Sequence, residues 1–219
     1  STVIDVHTHM LSRDWWDLLR AHGAPHYIAG KTADGRDNVT YDGASFLLPV
    51  PAHFDYALRV KAMSDARVDL AIVSLTCPNA FFGDAAISTR AARLVNDDMA
   101  RGQAAYPDRI RWMCSLPWEH PQAALDELAR ATRAGAVGVM VLANINGRSL
   151  TEPAFAPIWK AIDERALPVL VHPSAPPGTP FMDLKTHNMT GSVGFVFDTS
   201  LAIGRMVYDG FFETYPNLG

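Results

Sequence analysis

Leu167-Pro168-Val169-Leu170-Val171-His172-Pro173 is the stretch on which the fold turns. Its apolar residues are consecutive, without the polar alternation of a strand that shows one face to water. It therefore reads as a strand covered on both sides, as in a parallel sheet under helices. Pro168 suits the first residue of such a strand, where a missing N–H breaks no ladder bond. The same texture recurs upstream at residues 3–6, 70–75, 110–116 and 137–142. Between these runs the period changes. Residues 84–105 place Ile87, Ala91, Leu94, Val95 and Met99 at helical spacing. Residues 121–134 open with Pro121 and reach a C-terminal stop at Gly135, and a third helix starts at Thr151-Glu152-Pro153 and runs to about 166. Alternating strands and helices predict an α/β fold with right-handed crossovers.

Two stretches interrupt the rhythm. Residues 10–51 carry Trp15, Trp16 and a polar, glycine-rich run over 30–43, ahead of a helix near 53–66; residues 173–193 are rich in Pro and Gly. Each follows a strand and so emerges at its C-terminal end, the face on which α/β barrels build their sites. No internal repeat, low-complexity tract or linker divides the chain.

Composition narrows the function. With 219 residues, 48% hydrophobic and 19% charged, the chain can bury roughly 70% of the surface its unfolded form exposes. A net charge of −4 and a pI near 6.0 exclude the basic face of a nucleic-acid reader. No apolar run approaches the ~20 residues that span a bilayer, and Ser1-Thr2-Val3-Ile4-Asp5 lacks the pattern of a secretory signal. The expectation is a soluble, cytoplasmic protein. Cys77 and Cys114 each close an apolar stretch and read as small hydrophobes rather than a disulfide.

Chemistry concentrates at strand ends. In Asp5-Val6-His7-Thr8-His9 the two histidines are two residues apart, so they project to the same side and can bind one divalent metal; solvated or core histidines are the alternative. His172 finishes a buried strand and needs a partner: a metal, a carboxylate or a carbonyl. In a barrel the ends of the first and fifth strands face one mouth, and the three imidazoles converge.

At this point the residues resemble a known family. Val3 to His9, Val171-His172-Pro173, Asn96-Asp97-Asp98-Met99-Ala100 to Tyr106-Pro107-Asp108-Arg109, and Asp198-Thr199-Ser200-Leu201-Ala202-Ile203 through Gly210 to Leu218 together are similar to the amidohydrolase-2 branch of the amidohydrolase superfamily. Within it they look most like the aminocarboxymuconate-semialdehyde and aromatic-acid decarboxylases. The resemblance implies a distorted (β/α)8 TIM barrel of the metal-dependent hydrolase type, with the first five to six βα units present in one domain over residues 1–219 and an insertion at about 10–51. It implies His7, His9 and His172 as ligands of a divalent metal, zinc or manganese. The family's metal aspartate and acid/base histidine fall beyond Gly219, and with five strands countable the chain reads as the N-terminal two-thirds of a longer protein. Leu47-Leu48, after Phe46, stand near the place where the decarboxylase holds a substrate carboxylate with arginine, so the substrate either lacks that carboxylate or is held by another cation, such as Arg36 or Lys185.

Phe46, Trp118, Asn146 and His187 are the candidate substrate contacts, with Asn144 beside them and Lys185 and Asn188 next to His187; turn or packing roles are the alternative for Trp118, Asn144 and Asn146, and a solvated loop position for His187. His22, His26, His53 and His120 read as surface residues, Asp198 as an N-cap for a helix over 201–212, and Asp5 as a carboxylate able to orient His7. The implied activity is nonoxidative decarboxylation of an aromatic or enol-type carboxylic acid, possessing as alternatives a metal-dependent hydrolase or hydratase of a related ring-cleavage product, or an inactive fragment. A small-molecule carboxylic acid is the partner, and a homodimer is the assembly the family suggests; nucleic acid and membrane are not.

Overall fold

The structure, a computed structural model, describes residues 1–42, 44–176, 178, 183, 187 and 189–219. Its elements in chain order are β1 (Ile4–His9), α1 (Arg13–His22), β2 (Tyr27–Lys31), β3 (Asp37–Tyr41), β4 (Ala44–Leu47), α2 (Tyr56–Asp65), β5 (Leu70–Ser74), α3 (Ala85–Ala105), β6 (Ile110–Cys114), α4 (Pro121–Arg133), β7 (Gly138–Leu142), β8 (Asn144–Ile145), β9 (Arg148–Ser149), α5 (Ala156–Asp163), β10 (Val169–His172), α6 (Phe195–Tyr208) and α7 (Phe211–Thr214).

The five apolar runs form one parallel sheet in the order β1-β5-β6-β7-β10. Each strand lies beside the previous member of the sheet, so every crossover steps the same way. Right-handed connections then put the crossover helices on one face and leave the other as a concave inside. This is the first part of a (β/α)8 barrel, five strands of it. Asp84 caps α3 by accepting from the Ile87 amide, and Gly135, at φ +103, follows the last residue of α4's cap where a side chain would be strained. β1 slips register by one residue between Asp5 and Thr8, a bulge at the strand that carries His7 and His9.

The insertion departs from its expected texture. Residues 30–43 read as a polar interruption, yet Gly30, Lys31 and residues 37–41 belong to a three-stranded antiparallel sheet, β2-β3-β4. From its first two strands Tyr27, Ala29 and Val39 are buried in the core and Tyr41 packs partly against it, too few to register as a pattern among glycines and aspartates. The following helix starts at Tyr56 rather than His53, because Asp55 caps it through the amides of Ala57 and Leu58. His53 is half-buried, its Nδ1 accepting from the Val50 amide, which corrects its surface assignment.

Trp118, Phe155, Trp159 and Phe211 pack edge to face or tilted at centroid distances of 4.7 to 5.9 Å and fasten α5 and α7 to the loop after β6. Such pairs add about 0.5–1.5 kcal/mol each beyond the area they bury. Both cysteines are free and buried, and burial pushes their thiols up. Among the described residues no helix is long and apolar enough to cross a membrane.

Candidate metal centre

β1 and β10 are the two edges of the sheet. Four inter-strand steps of ~4.8 Å would hold them about 19 Å apart if the sheet were flat. Instead, Nε2 of His9 and Nε2 of His172 lie 3.2 Å apart. The sheet therefore curls, and side chains reaching inward from opposite walls meet. Ring centroids of His7, His9 and His172 are separated by 5.1, 5.1 and 4.8 Å, and one nitrogen from each falls within 4.8 Å of the others. Residues 163 positions apart are brought together by topology alone.

The protonation pattern of this cluster suits a cation. Burial, with the neighbouring imidazoles, lowers His9 to about 3, and burial lowers His172 to about 4. Both are neutral at pH 7, the form that ligates. His172 Nδ1 lies 2.6 Å from the Pro173 carbonyl, which can only accept, so Nδ1 holds the proton and Nε2 carries a lone pair. His9 turns its Nδ1 toward Ser74, whose Oγ is 3.5 Å away and whose backbone also bonds the ring. With the His9 proton likewise on Nδ1, toward Ser74, the Nε2 atoms of His9 and His172 would both turn lone pairs to the gap between them. A tetrahedral ion with bonds of about 2.0–2.1 Å sets neighbouring ligand nitrogens about 3.3 Å apart, so the donor set fits a divalent metal.

Main-chain anchors surround the histidines. Arg59 of α2 donates from Nη2 to the His9 carbonyl at 2.8 Å, and the Met10 amide donates to the Ser74 carbonyl at 3.1 Å. Asp5 accepts from the His7 amide at 3.1 Å, so it braces the backbone at the bulge rather than the imidazole. On the other wall the Ala143 amide donates to the His172 carbonyl at 2.7 Å. Asp198, expected as an N-cap, is instead inside a helix that begins at Phe195, only 1% exposed. Its carboxylate accepts from the Ser174 amide at 2.7 Å and from Asn144 Nδ2 at 2.9 Å, and burial raises it above the usual aspartate range. Arg59 and Ser74 had no sequence signal: one sits in a helix with little apolar patterning, in which only Met63 is buried, the other in an apolar strand.

The expected substrate contacts scatter. Trp118 is fully buried in the aromatic stack, so its side chain packs the scaffold instead of facing the mouth. Asn146 is exposed at φ +49 and donates to Glu119 Oε2 at 2.8 Å, a turn residue with a surface partner. Asn144 is spent on Ser174, Ala175 and Asp198. Phe46 is half-buried against Tyr27, Tyr41 and Phe195, Leu47 half-buried and Leu48 exposed. His187 is exposed, and Lys185 and Asn188 lie outside the described residues. Arg36 pairs with Asp34 on the exposed β2–β3 turn. His22 is exposed at the end of α1, His26 is exposed and pairs with Asp42, and His120 is partly covered where α4 begins.

Comparison with known proteins follows this geometry. The chain is 28% identical to a 2-amino-3-carboxymuconate-6-semialdehyde decarboxylase of Dictyostelium discoideum over 100% of its own length and 61% of that protein's. The crystal structure of 5-carboxyvanillate decarboxylase from Sphingomonas paucimobilis superposes with a TM-score of 0.83 at 25% identity, covering 99% of this chain and 65% of that one. The 5-carboxyvanillate decarboxylase of Novosphingobium aromaticivorans, complexed with manganese and 4-hydroxy-3-methoxy-5-nitrobenzoic acid, shares the fold at 22% identity and a TM-score of 0.79, over 99% of this chain and 63% of that one. The chain thus spans between 61% and 65% of the length of these proteins. The match to the Amidohydrolase family extends over residues 4–219, and the chain belongs to that family.

Proposed function

We propose that this chain carries the metal-binding half of a divalent-metal-dependent, nonoxidative decarboxylase of an aromatic or enol-type carboxylic acid. The observation that carries the reading is the cluster of three imidazoles at the C-terminal ends of the first and last strands of a barrel-type sheet, within a family whose similar members are decarboxylases. His7, His9 and His172 would hold the metal, zinc or manganese. When bound, such an ion supplies Lewis acidity toward an oxygen of the substrate.

The chain's own residues do the rest of the positioning. The Pro173 carbonyl and Ser74 take the Nδ1 protons of His172 and His9 and turn both Nε2 lone pairs inward. Burial keeps those rings neutral, so protons do not compete for the lone pairs near neutral pH. Decarboxylation exchanges a carboxylate for a proton at the same carbon and releases carbon dioxide, with no net oxidation, so no electron carrier is required. Phe46 and the exposed His187 remain our proposed substrate contacts. Two buried free thiols support a reducing, cytoplasmic setting.

The test is metal content with carbon dioxide release from hydroxybenzoates and muconate semialdehydes. The expected result is one zinc or manganese per chain, lost in His172→Ala, and release that stops on chelation and returns with metal. Full activity after exhaustive chelation, or unchanged metal stoichiometry in His172→Ala, overturns the reading. Hydrolysis without carbon dioxide release from a metal-loaded protein moves the assignment to a hydrolase.

A further inference from the structure

Pro173 has no N–H, so the peptide that follows His172 cannot be fixed through the proline's own amide. The next peptide unit, Pro173–Ser174, carries both the carbonyl that accepts from His172 Nδ1 at 2.6 Å and the amide that donates to Asp198 Oδ2 at 2.7 Å. A trans peptide is planar, its C=O and N–H point in opposite directions, and neither turns without the other. Gripping the Ser174 amide therefore aims the Pro173 carbonyl at His172.

We propose that Asp198 is a positioning residue for His172, acting through this single peptide plane to hold the imidazole as its Nδ1–H tautomer with Nε2 directed at the metal centre. The arrangement is a carboxylate–histidine–metal support with a peptide inserted between carboxylate and ring. Three further contacts keep Asp198 in place for that work. Asn144 Nδ2 donates to its Oδ1 at 2.9 Å and to Ser174 Oγ at 3.0 Å, and Ser174 Oγ lies 3.4 Å from Oδ2. Asp198 and Ser174 are 1% and 3% exposed, so water offers neither group a substitute partner. A negative carboxylate on the amide side also polarises the peptide and strengthens its carbonyl as an acceptor. Asp198 comes from α6, 26 positions after His172, so the helix following the strand governs the ligand at the strand's end.

The inference rests on the proposed role of His172 as a ligand, and one of its readouts needs no metal. Long-range nitrogen NMR of the metal-free chain is expected to show His172 as a single Nδ1–H tautomer. Asp198→Ala should convert it to a tautomer mixture while His9 keeps its own pattern. Zinc titration of the same proteins should show affinity falling about 10–100-fold in Asp198→Ala. Asp198→Asn fits the same space and keeps one acceptor, so it should fold, hold the Nδ1–H tautomer and lose less affinity than the alanine variant. If Asp198→Ala does not fold, the asparagine variant carries the test through an altered His172 nitrogen shift and weakened zinc binding. A His172 resonance and a zinc affinity both unchanged in every folded variant overturn the proposal. A wild-type chain that takes up no zinc yet shows the Asp198-dependent tautomer overturns the metal reading and leaves the positioning intact.

Discussion

Asn96→Ala is the perturbation whose cost the structure sets most clearly. Asn96 sits in α3, fully buried, and its side chain takes the place of a strand neighbour for the residue after β6. Its Nδ2 donates to the Ser115 carbonyl at 2.9 Å and to Glu127 Oε1 at 2.7 Å, and its Oδ1 accepts from the Ser115 amide at 2.9 Å. Glu127, 1% exposed, keeps Arg130 at 2.7 and 2.8 Å when Asn96 is removed, so its charge stays compensated. The Ser115 amide and carbonyl are the groups left bare, in a residue with no exposed surface. Each orphaned group costs about 1–3 kcal/mol, and the shortened side chain leaves a small void, so the expected loss is about 3–5 kcal/mol. Urea unfolding followed by circular dichroism, with unchanged slope, measures it. The pin is on the helical side of the sheet, so zinc affinity per folded molecule should stay at the wild-type value. A loss under about 1 kcal/mol, the range of an exposed pair, would refute the reasoning.

Two more outcomes follow from the metal centre. In the metal-free protein, His9 near 3 and His172 near 4 lie below the ~6.5 of the unfolded chain, so the unfolded state takes up the protons first; stability is full above about pH 7 and falls with pH by about 1.4 kcal/mol per unit per histidine, about 4 kcal/mol for the pair by pH 5. Urea midpoints at pH 7.5 and 5 check it, and a His9→Asn/His172→Asn protein with the same pH slope would contradict it. Zinc or manganese at a hundred times its dissociation constant should stabilise the fold by about 2.7 kcal/mol, or about 5–11 °C in Tm for a chain of this size, and the increment should vanish in His172→Ala.

The parallel sheet was legible because its strands are covered on both faces, and consecutive Val, Ile and Leu leave a mark that needs no partner to interpret. The readable apolar part of β1 stops at Val6, although the strand continues to His9: the polar residues that bear the chemistry interrupt the pattern that reveals the strand. The antiparallel sheet of the insertion was not legible, since its inward residues, Tyr27, Ala29, Val39, Tyr41, Phe46 and Leu47, are spread over three short strands among polar residues and turns. Asp198 stands before Thr199-Ser200 and imitates a helix start. Only the long-range contact with Ser174 shows it to be interior. Trp118 follows a strand end just as a substrate contact would, and its burial depends on α5 and α7, elements about 40 and 90 residues later in the chain.

The three histidines lie toward the C-terminal ends of β1 and β10, whereas the polar pin with the heaviest predicted cost, Asn96 on Ser115, lies between β6 and α3. This division has a mechanical consequence. β5, β6 and β7 hold their neighbours by ladders on both sides and can stay paired over a range of curvatures, but the Nε2 atoms of His9 and His172 meet only at one curvature. A cation held by both His9 and His172 would therefore favour that curvature, and its binding energy would appear as folding energy because the unfolded chain has no such site. The same logic explains why main-chain anchors gather at both ends of the cluster: Arg59 on the His9 carbonyl and the Ala143 amide on the His172 carbonyl fix where each edge strand stops. Loosening either anchor is expected to change the distance across the mouth without touching a ligand ring, so the precision of the site depends on how the ends of β1 and β10 are anchored as well as on the rings themselves.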